Sequence, residues 1–251
     1  MADNSTRNRW AGSRGSSSSH SLATPSPVRL TASTRERTIT SSNQDVSLRR
    51  PLTILVQGGI ASGKSTVARL IAERGGTLLD CDRIAHEELE SGEARAGVRA
   101  AFGERVFAAD GAVDRRAVAE VVFEDPQALT HLEAILHPRV AARVRQAVAA
   151  AAVPAGERRA VVVVDAAVAD KMKMIDGYDL VVFVDVDPEI RRRRALQRGW
   201  SAGELARREA QQTPLSAKRS EADVVIANDG DLEEARDHVQ RFWSDHVEPQ
   251  R

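Results

Sequence analysis

The sequence predicts an α/β fold: a parallel sheet with helices on both faces, built around a phosphate-binding loop. Three observations carry that expectation. Leu52–Val56 is an apolar, strand-like run. Gly58-Gly59-Ile60-Ala61-Ser62-Gly63-Lys64-Ser65 follows it and satisfies G-x-x-x-x-G-K-[ST], after which Val67, Leu70 and Ile71 repeat at helical spacing. Further short apolar runs at Thr77–Leu79, Ala160–Val164, Leu180–Val184 and Glu221–Ile226 alternate with helical stretches, the pattern of a sheet covered on both sides.

The loop carries the first chemical reading. Its glycines let the backbone curl so that several N–H groups face one anion, and the helix that follows adds partial positive charge. Lys64 would reach the outer phosphates and the Ser65 hydroxyl would ligate Mg²⁺. The nucleotide-binding candidates here are Gly58, Gly59, Ala61, Ser62, Gly63, Lys64, Ser65 and Thr66. The bland alternative, a chance glycine turn with a solvated lysine, does not account for the strand and helix on either side.

Composition bounds the rest. The chain has 251 residues, with 36 basic and 36 acidic side chains. A zero formal charge gives no push toward nucleic acid or a membrane as main partner. Charge is unevenly placed: residues 1–50 hold eight Arg and three acids, hence +5. That stretch is Ser/Arg-rich and poor in large apolar side chains, so it is expected to be a disordered tail ahead of a domain at 51–251. Cys81 is the only cysteine, which rules out an intrachain disulfide and fits a reducing cytoplasm. No apolar run approaches the roughly 18 residues of a membrane span.

Taken in order, Thr77–Leu79 ends in Asp80-Cys81-Asp82. A carboxylate just past a strand's C-terminal end lies on the edge where open α/β sheets bind ligands. In extended chain Asp80 and Asp82 would share one side. One could orient Mg²⁺-bound water and the other accept a proton from an attacking hydroxyl. Equally, Asp82 could serve as N-cap for the helix-like segment starting at Arg83. Residues 83–152 read as a helical, acceptor-binding lobe. Asp114 is a good N-cap, Asp125-Pro126 opens another helix, and His137-Pro138 is expected to break it. His86 and His137 lack metal-ligand spacing, and read alone each is better explained as structural.

Pro154–Gly156 reads as a turn. The run at Ala160–Val164 ends at Asp165, placed to hold Mg²⁺ through water. After Leu180–Val184, Asp187-Pro188 caps a helix bearing Arg191–Arg194 and Arg198. A solvated charged face is the usual reading of such a run. A lid over 188–220 is the sharper one, with Arg194 and Arg198 on one face, aimed at charge on the transferring phosphate. Ser201 with Glu204, and Asp231 with Glu234, form capping boxes; the second opens a final helix to about Ser244. Between them lies a turn at Asn228–Gly230.

Several of these stretches together resemble the dephospho-coenzyme A kinase family: GGIASGKST at 58–66, DCDRIAHEEL at 80–89, VDRRAVAEVVFEDPQALTHLEAILHPRV at 113–140, RRRRALQRGWSAGELARREAQQ at 191–212 and EADVVIANDG at 221–230. The resemblance implies a P-loop kinase that phosphorylates the ribose 3′-hydroxyl of dephospho-coenzyme A with ATP and Mg²⁺. It implies Asp82 as base, Lys64, Arg194 and Arg198 acting on phosphate, and Asn228 and Gly230 beside the adenine. It also implies Asp80, Asp82, His86 and His137 on the acceptor side. The chain departs from the family pattern at Asp165–Asp170, which lacks the usual Pro, Leu pair and aromatic, and at Ala61, which replaces a common glycine. Other small-molecule kinases with this loop, or an ATP-binding regulatory protein, are the competing expectations.

Overall fold

The structure is a computed structural model that describes residues 47–169, 172 and 177–251. The expected tail up to residue 46, and positions 170, 171 and 173–176, lie outside the described residues. In chain order the strands are β1 (Leu48–Arg49), β2 (Leu52–Gly58), β3 (Thr77–Asp80), β4 (Val153–Pro154), β5 (Val161–Asp165), β6 (Leu180–Asp185) and β7 (Val224–Ala227). The helices are α1 (Lys64–Glu73), α2 (Cys81–Leu89), α3 (Gly92–Phe102), α4 (Arg115–Glu124), α5 (Pro126–Ala150), α6 (Pro188–Gln197), α7 (Ala202–Ala210), α8 (Leu215–Ser220) and α9 (Leu232–Phe242).

Five strands form one parallel sheet in the order β3-β5-β2-β6-β7. Side chains alternate across it. Ile54, Val56, Val163 and Val182 pack with Val67 and Ile71 of α1 and Val239 and Phe242 of α9. Leu55, Val162, Val164 and Val181 face the other way, onto Ile84 of α2 and Val140 and Val144 of α5. Both faces are therefore covered, as the β-branched runs predict. A third cluster, with Val98, Phe102, Val106 and Val118, fills the lobe formed by α3, α4 and the first half of α5. The connection from β2 goes to β3, one strand beyond β5, while β6 lies on the other side. The loop after β2 thus opens at a topological switch point, where ligands bind such sheets.

Most helix starts follow the sequence signals. Asp114, Asp125, Asp187, Ser201 and Asp231 each accept a backbone N–H in the first turn of their helix. Three expectations are corrected. The first concerns the cap of α2, which is Asp80 rather than Asp82: the Asp80 carboxylate accepts from Arg83 N at 3.0 Å. The chain is already helical at Cys81, so Asp80 and Asp82 do not share one side of an extended segment. The second is His137-Pro138, which does not break α5; Pro138 lies inside a helix of 25 residues. Pro138 and Ala134 are both exposed, so the carbonyl deprived of its usual donor belongs to a residue on the solvent side of the helix. Both halves of the helix are anchored, one in the lobe and one on the sheet. Lastly, the segment read as a turn at Pro154 begins as β4, paired antiparallel with β1. The boundary expected between residues 50 and 51 thus falls just after a strand. The short helix α8 had no sequence signal.

Candidate active site

The phosphate-binding loop runs from the end of β2 into α1. Gly63 has φ 80°, and a Cβ there would lie 2.4 Å from Asn228 Nδ2, so only glycine fits. Ala61 also has positive φ, 60°, a conformation that costs an L-residue roughly 1–2 kcal/mol. Its methyl is buried against Ala195 of α6 and Leu205 of α7, which offsets that cost. Alanine in place of the family's common glycine is thus accommodated by a contact with α6 and α7.

Lys64 and Asp165 form an ion pair, with side chains 11 % and 4 % exposed. Asp165 is in register with Val56 on one side and with Asp80 on the other. The two strand-end carboxylates and the loop lysine are thus gathered at the C-terminal edge of the sheet. Ser65 and Thr66 occupy the first turn of α1.

Asp82, no longer needed as a cap, lies on the first turn of α2 and lines a cavity of ≈150 Å³ with Cys81, His137, Val140, Val168 and Met172. That cavity is lined by α2, α5 and the segment after β5. The Asp82 carboxyl is solvent-accessible but sits in a concave mouth. Desolvation there raises its pKa above the ordinary 3.8, opposed by Lys64 and His86 and reinforced by Asp80 and Asp165. Burial, with Asp165 and Asp82 nearby, pushes the Cys81 thiol up to about 12. The thiol is therefore protonated and inert. A larger cleft of ≈620 Å³ between α1 and α9, with Glu73, Arg236 and Trp243 on its walls, contains none of the expected site residues.

The arginines of α6 divide. Arg194 donates to the carbonyls of Asn228, Asp229 and Gly230 at 2.9, 3.3 and 3.1 Å. Asn228 in turn donates through Nδ2 to Ser62 O at 2.7 Å. Helix, turn and loop are thus linked in one chain of hydrogen bonds. Arg198 is exposed at the C-cap of α6. Arg191 is buried and reaches the loop itself, donating to Ile60 O at 3.3 Å. Sequence reasoning assigned it no separate role, since four consecutive arginines carry no mark of which one turns inward.

Comparison with known proteins bears on this geometry. The dephospho-CoA kinase family model matches residues 52–234. That span takes in β2, the loop, the lobe, α6–α8 and the Asn228 turn. The chain belongs to the dephospho-CoA kinase family. A dephospho-CoA kinase of Streptomyces avermitilis is 40 % identical over 198 residues, covering 78 % of this chain and 94 % of the relative. That of Geobacter sulfurreducens is 36 % identical over 191 residues, 74 % of this chain and 94 % of the relative. Among solved structures, TT1252 from Thermus thermophilus is similar with a TM-score of 0.65 at 30 % identity, covering 79 % of this chain and all (100 %) of that one. The dephospho-CoA kinase of Campylobacter jejuni shares the fold, with a TM-score of 0.53 at 21 % identity over 77 % of this chain and 96 % of its own. This dephospho-CoA kinase family member is accordingly an enzyme, and its reaction is the ATP-dependent phosphorylation of dephospho-CoA to coenzyme A. Among the described residues no helix is long and apolar enough to cross a membrane.

Proposed function

We propose that the chain transfers the γ-phosphoryl group of ATP to the ribose 3′-hydroxyl of dephospho-coenzyme A, with Asp82 as the base. The observation that carries this is the position of Asp82. Asp80 caps α2, so the Asp82 carboxylate is left at the mouth of the acceptor-side cavity, within electrostatic reach of Lys64. A carboxylate there can take the hydroxyl proton as the bond to phosphorus forms. The loop amides hold the phosphates and Lys64 balances charge on the group in transit. His137, on the cavity wall, and His86, beside Asp82, orient the acceptor. Arg194 positions the Asn228–Gly230 turn for the adenine, and Arg198 stands at the open end of the lid.

Ser65 and Asp165 offer hard oxygen donors beside the loop. Among the described residues no group of three or more metal-ligating side chains occurs. One or two protein oxygens completed by substrate phosphates and water is the coordination that Mg²⁺ favours. Bound there, Mg²⁺ would neutralise charge on the β- and γ-phosphates. Lys64 pairs with Asp165, and a phosphate bound at the loop would draw the lysine away from it. We place the enzyme in the cytoplasm, in keeping with a buried free thiol at Cys81.

The test is to incubate the full chain with ATP, Mg²⁺ and dephospho-coenzyme A and to follow the products by mass and by phosphorus NMR. Coenzyme A bearing a 3′-phosphate, formed together with ADP, is expected. ATP binding without acceptor turnover, or turnover of another alcohol in preference, would overturn the proposal.

A further inference from the structure

Arg191 carries more than the role of a lid residue. It projects from α6 and is 7 % exposed. Its NH1 donates to Ile60 O at 3.3 Å and also to the Glu209 carboxylate on α7. Its Nε is buried, with no hydrogen-bond partner among the described residues. A Cβ at Gly59 would lie 3.0 Å from NH1, so the guanidinium is packed directly on the Gly59–Ile60 segment of the loop. Next to it, Ala61 and Ile60 pack on Ala195, Trp200 and Leu205. The lid base and the loop tip are therefore one packed unit.

A guanidinium offers five N–H donors in a rigid fork and is never neutral. Burying it with an unused donor is costly unless an acceptor arrives. The acceptor that comes to a phosphate-binding loop is a phosphate oxygen, and the planar fork matches phosphate well. Glu209 differs from Arg191 in one respect that matters: its side chain is 37 % exposed. It can swing into water at little cost, whereas Arg191 has no such route.

We propose that Arg191 binds the polyphosphate of ATP, and that Glu209 is the resident counter-ion it gives up when the nucleotide arrives. This rests on reading Gly58–Ser65 as the phosphate site and adds a second cation to it beside Lys64. Because Glu209 is on α7, the exchange couples nucleotide binding to the position of the lid. An alternative, in which the pair only straps α7 to α6, gives Arg191 no part in binding.

The two accounts differ in sign. In the full chain, Glu209→Gln removes the competitor, so ATP should bind tighter, by roughly threefold to tenfold, the scale of one charge-assisted hydrogen bond in part. Arg191→Met should weaken ATP binding by roughly tenfold or more and leave adenosine binding unchanged. In the Arg191→Met background, Glu209→Gln should have no effect, which closes the cycle. The strap account predicts that Glu209→Gln leaves ATP affinity unchanged or lowers it, and either result overturns the proposal. Equal losses for ATP and adenosine in Arg191→Met would do the same. Should Arg191→Met fail to fold, the sign for Glu209→Gln decides alone. Lys64→Ala separates the two layers. If it binds ATP normally, the loop has been misread; if it loses ATP while both other variants bind as wild type, only the role of Arg191 falls.

Discussion

A ribose hydroxyl is a very weak acid, so a base must stand where its proton leaves. Asp82 is proposed for that role, and it is free for it because the cap of α2 is made by Asp80. Asp82→Asn keeps the size of the side chain and removes the basic site. Its kcat should fall by roughly 10²–10⁴-fold with ATP affinity nearly unchanged. Desolvation raises the Asp82 pKa in the folded chain above 3.8. The folded state then holds this proton more tightly than the unfolded one. The contribution of Asp82 to stability is fully present below the unfolded value and is lost as pH rises through the folded value. Asp82→Asn should accordingly melt at or above the wild-type temperature at neutral pH, and the acid limb of kcat against pH should lie above 3.8 in the wild type. Asp80→Ala gives the contrast: about 1 kcal/mol of stability lost with the cap. Full turnover in Asp82→Asn would remove it from the role of base.

At the scale of elements, one carboxylate ties several segments together at the edge of the sheet away from the site. Asp179, just before β6, accepts from Thr53 N at 2.8 Å, Thr53 Oγ1 at 3.0 Å and Arg159 at 2.9 Å, and pairs with Arg50. Burial lowers the Arg159 pKa, opposed by Asp179. Asp179→Ala leaves that guanidinium buried without its counter-ion. Removing one partner of a buried pair costs about 3–5 kcal/mol; with side chains 13 % and 14 % exposed, the lower end is expected. Urea unfolding would measure it, and a change below about 1 kcal/mol would show the pair to be an ordinary surface one. Helix α5 offers a test of opposite sign. Pro138 is exposed within a continuous helix, where proline is about 3 kcal/mol less favourable than alanine. Pro138→Ala should raise stability by about 1–3 kcal/mol, and a fall in melting temperature would mean that the ring makes a contact worth more than the missing hydrogen bond.

At the scale of the described molecule, the two edges of the sheet have different tasks. The C-terminal edge of the sheet carries the loop, Asp165 and Asp82. At the other edge, the first described residues and the last ones meet. Leu48–Arg49 pairs with Val153–Pro154. Arg49 donates to Arg251 O and Gln250 O at 3.3 and 3.4 Å, and Arg158 pairs with Glu248. Removing residues 47–50 should therefore cost stability without touching chemistry. Compared with a chain starting at residue 47, one starting at residue 51 should melt about 2–4 °C lower, the shift expected for roughly 1 kcal/mol in a domain of this size. Its kcat at low temperature should be unchanged. A loss of kcat larger than twofold would mean that the two edges are coupled.

What the sequence by itself determined is what local chemistry can state. The strand–loop–helix around Lys64, the caps at Asp114, Asp125, Asp187, Ser201 and Asp231, and the buried runs of β5 and β6 each lie within a few residues of their own signal. These caps and turns satisfy backbone groups near them in the chain, so they are legible without the fold. Only the tertiary structure moved the cap of α2 from Asp82, the residue expected, to Asp80, because the cap depends on where β3 stops pairing with β5. It alone carried α5 through Pro138, since packing on both halves of the helix outweighs the local break. It alone turned Arg191 to the loop, Arg194 to the Asn228 turn and Arg198 to water. The partners of Arg191 are 131 and 18 residues away. A run of identical arginines looks uniform along the chain, and it acquires separate roles only when helix rotation and the packing of a distant loop set which guanidinium is buried.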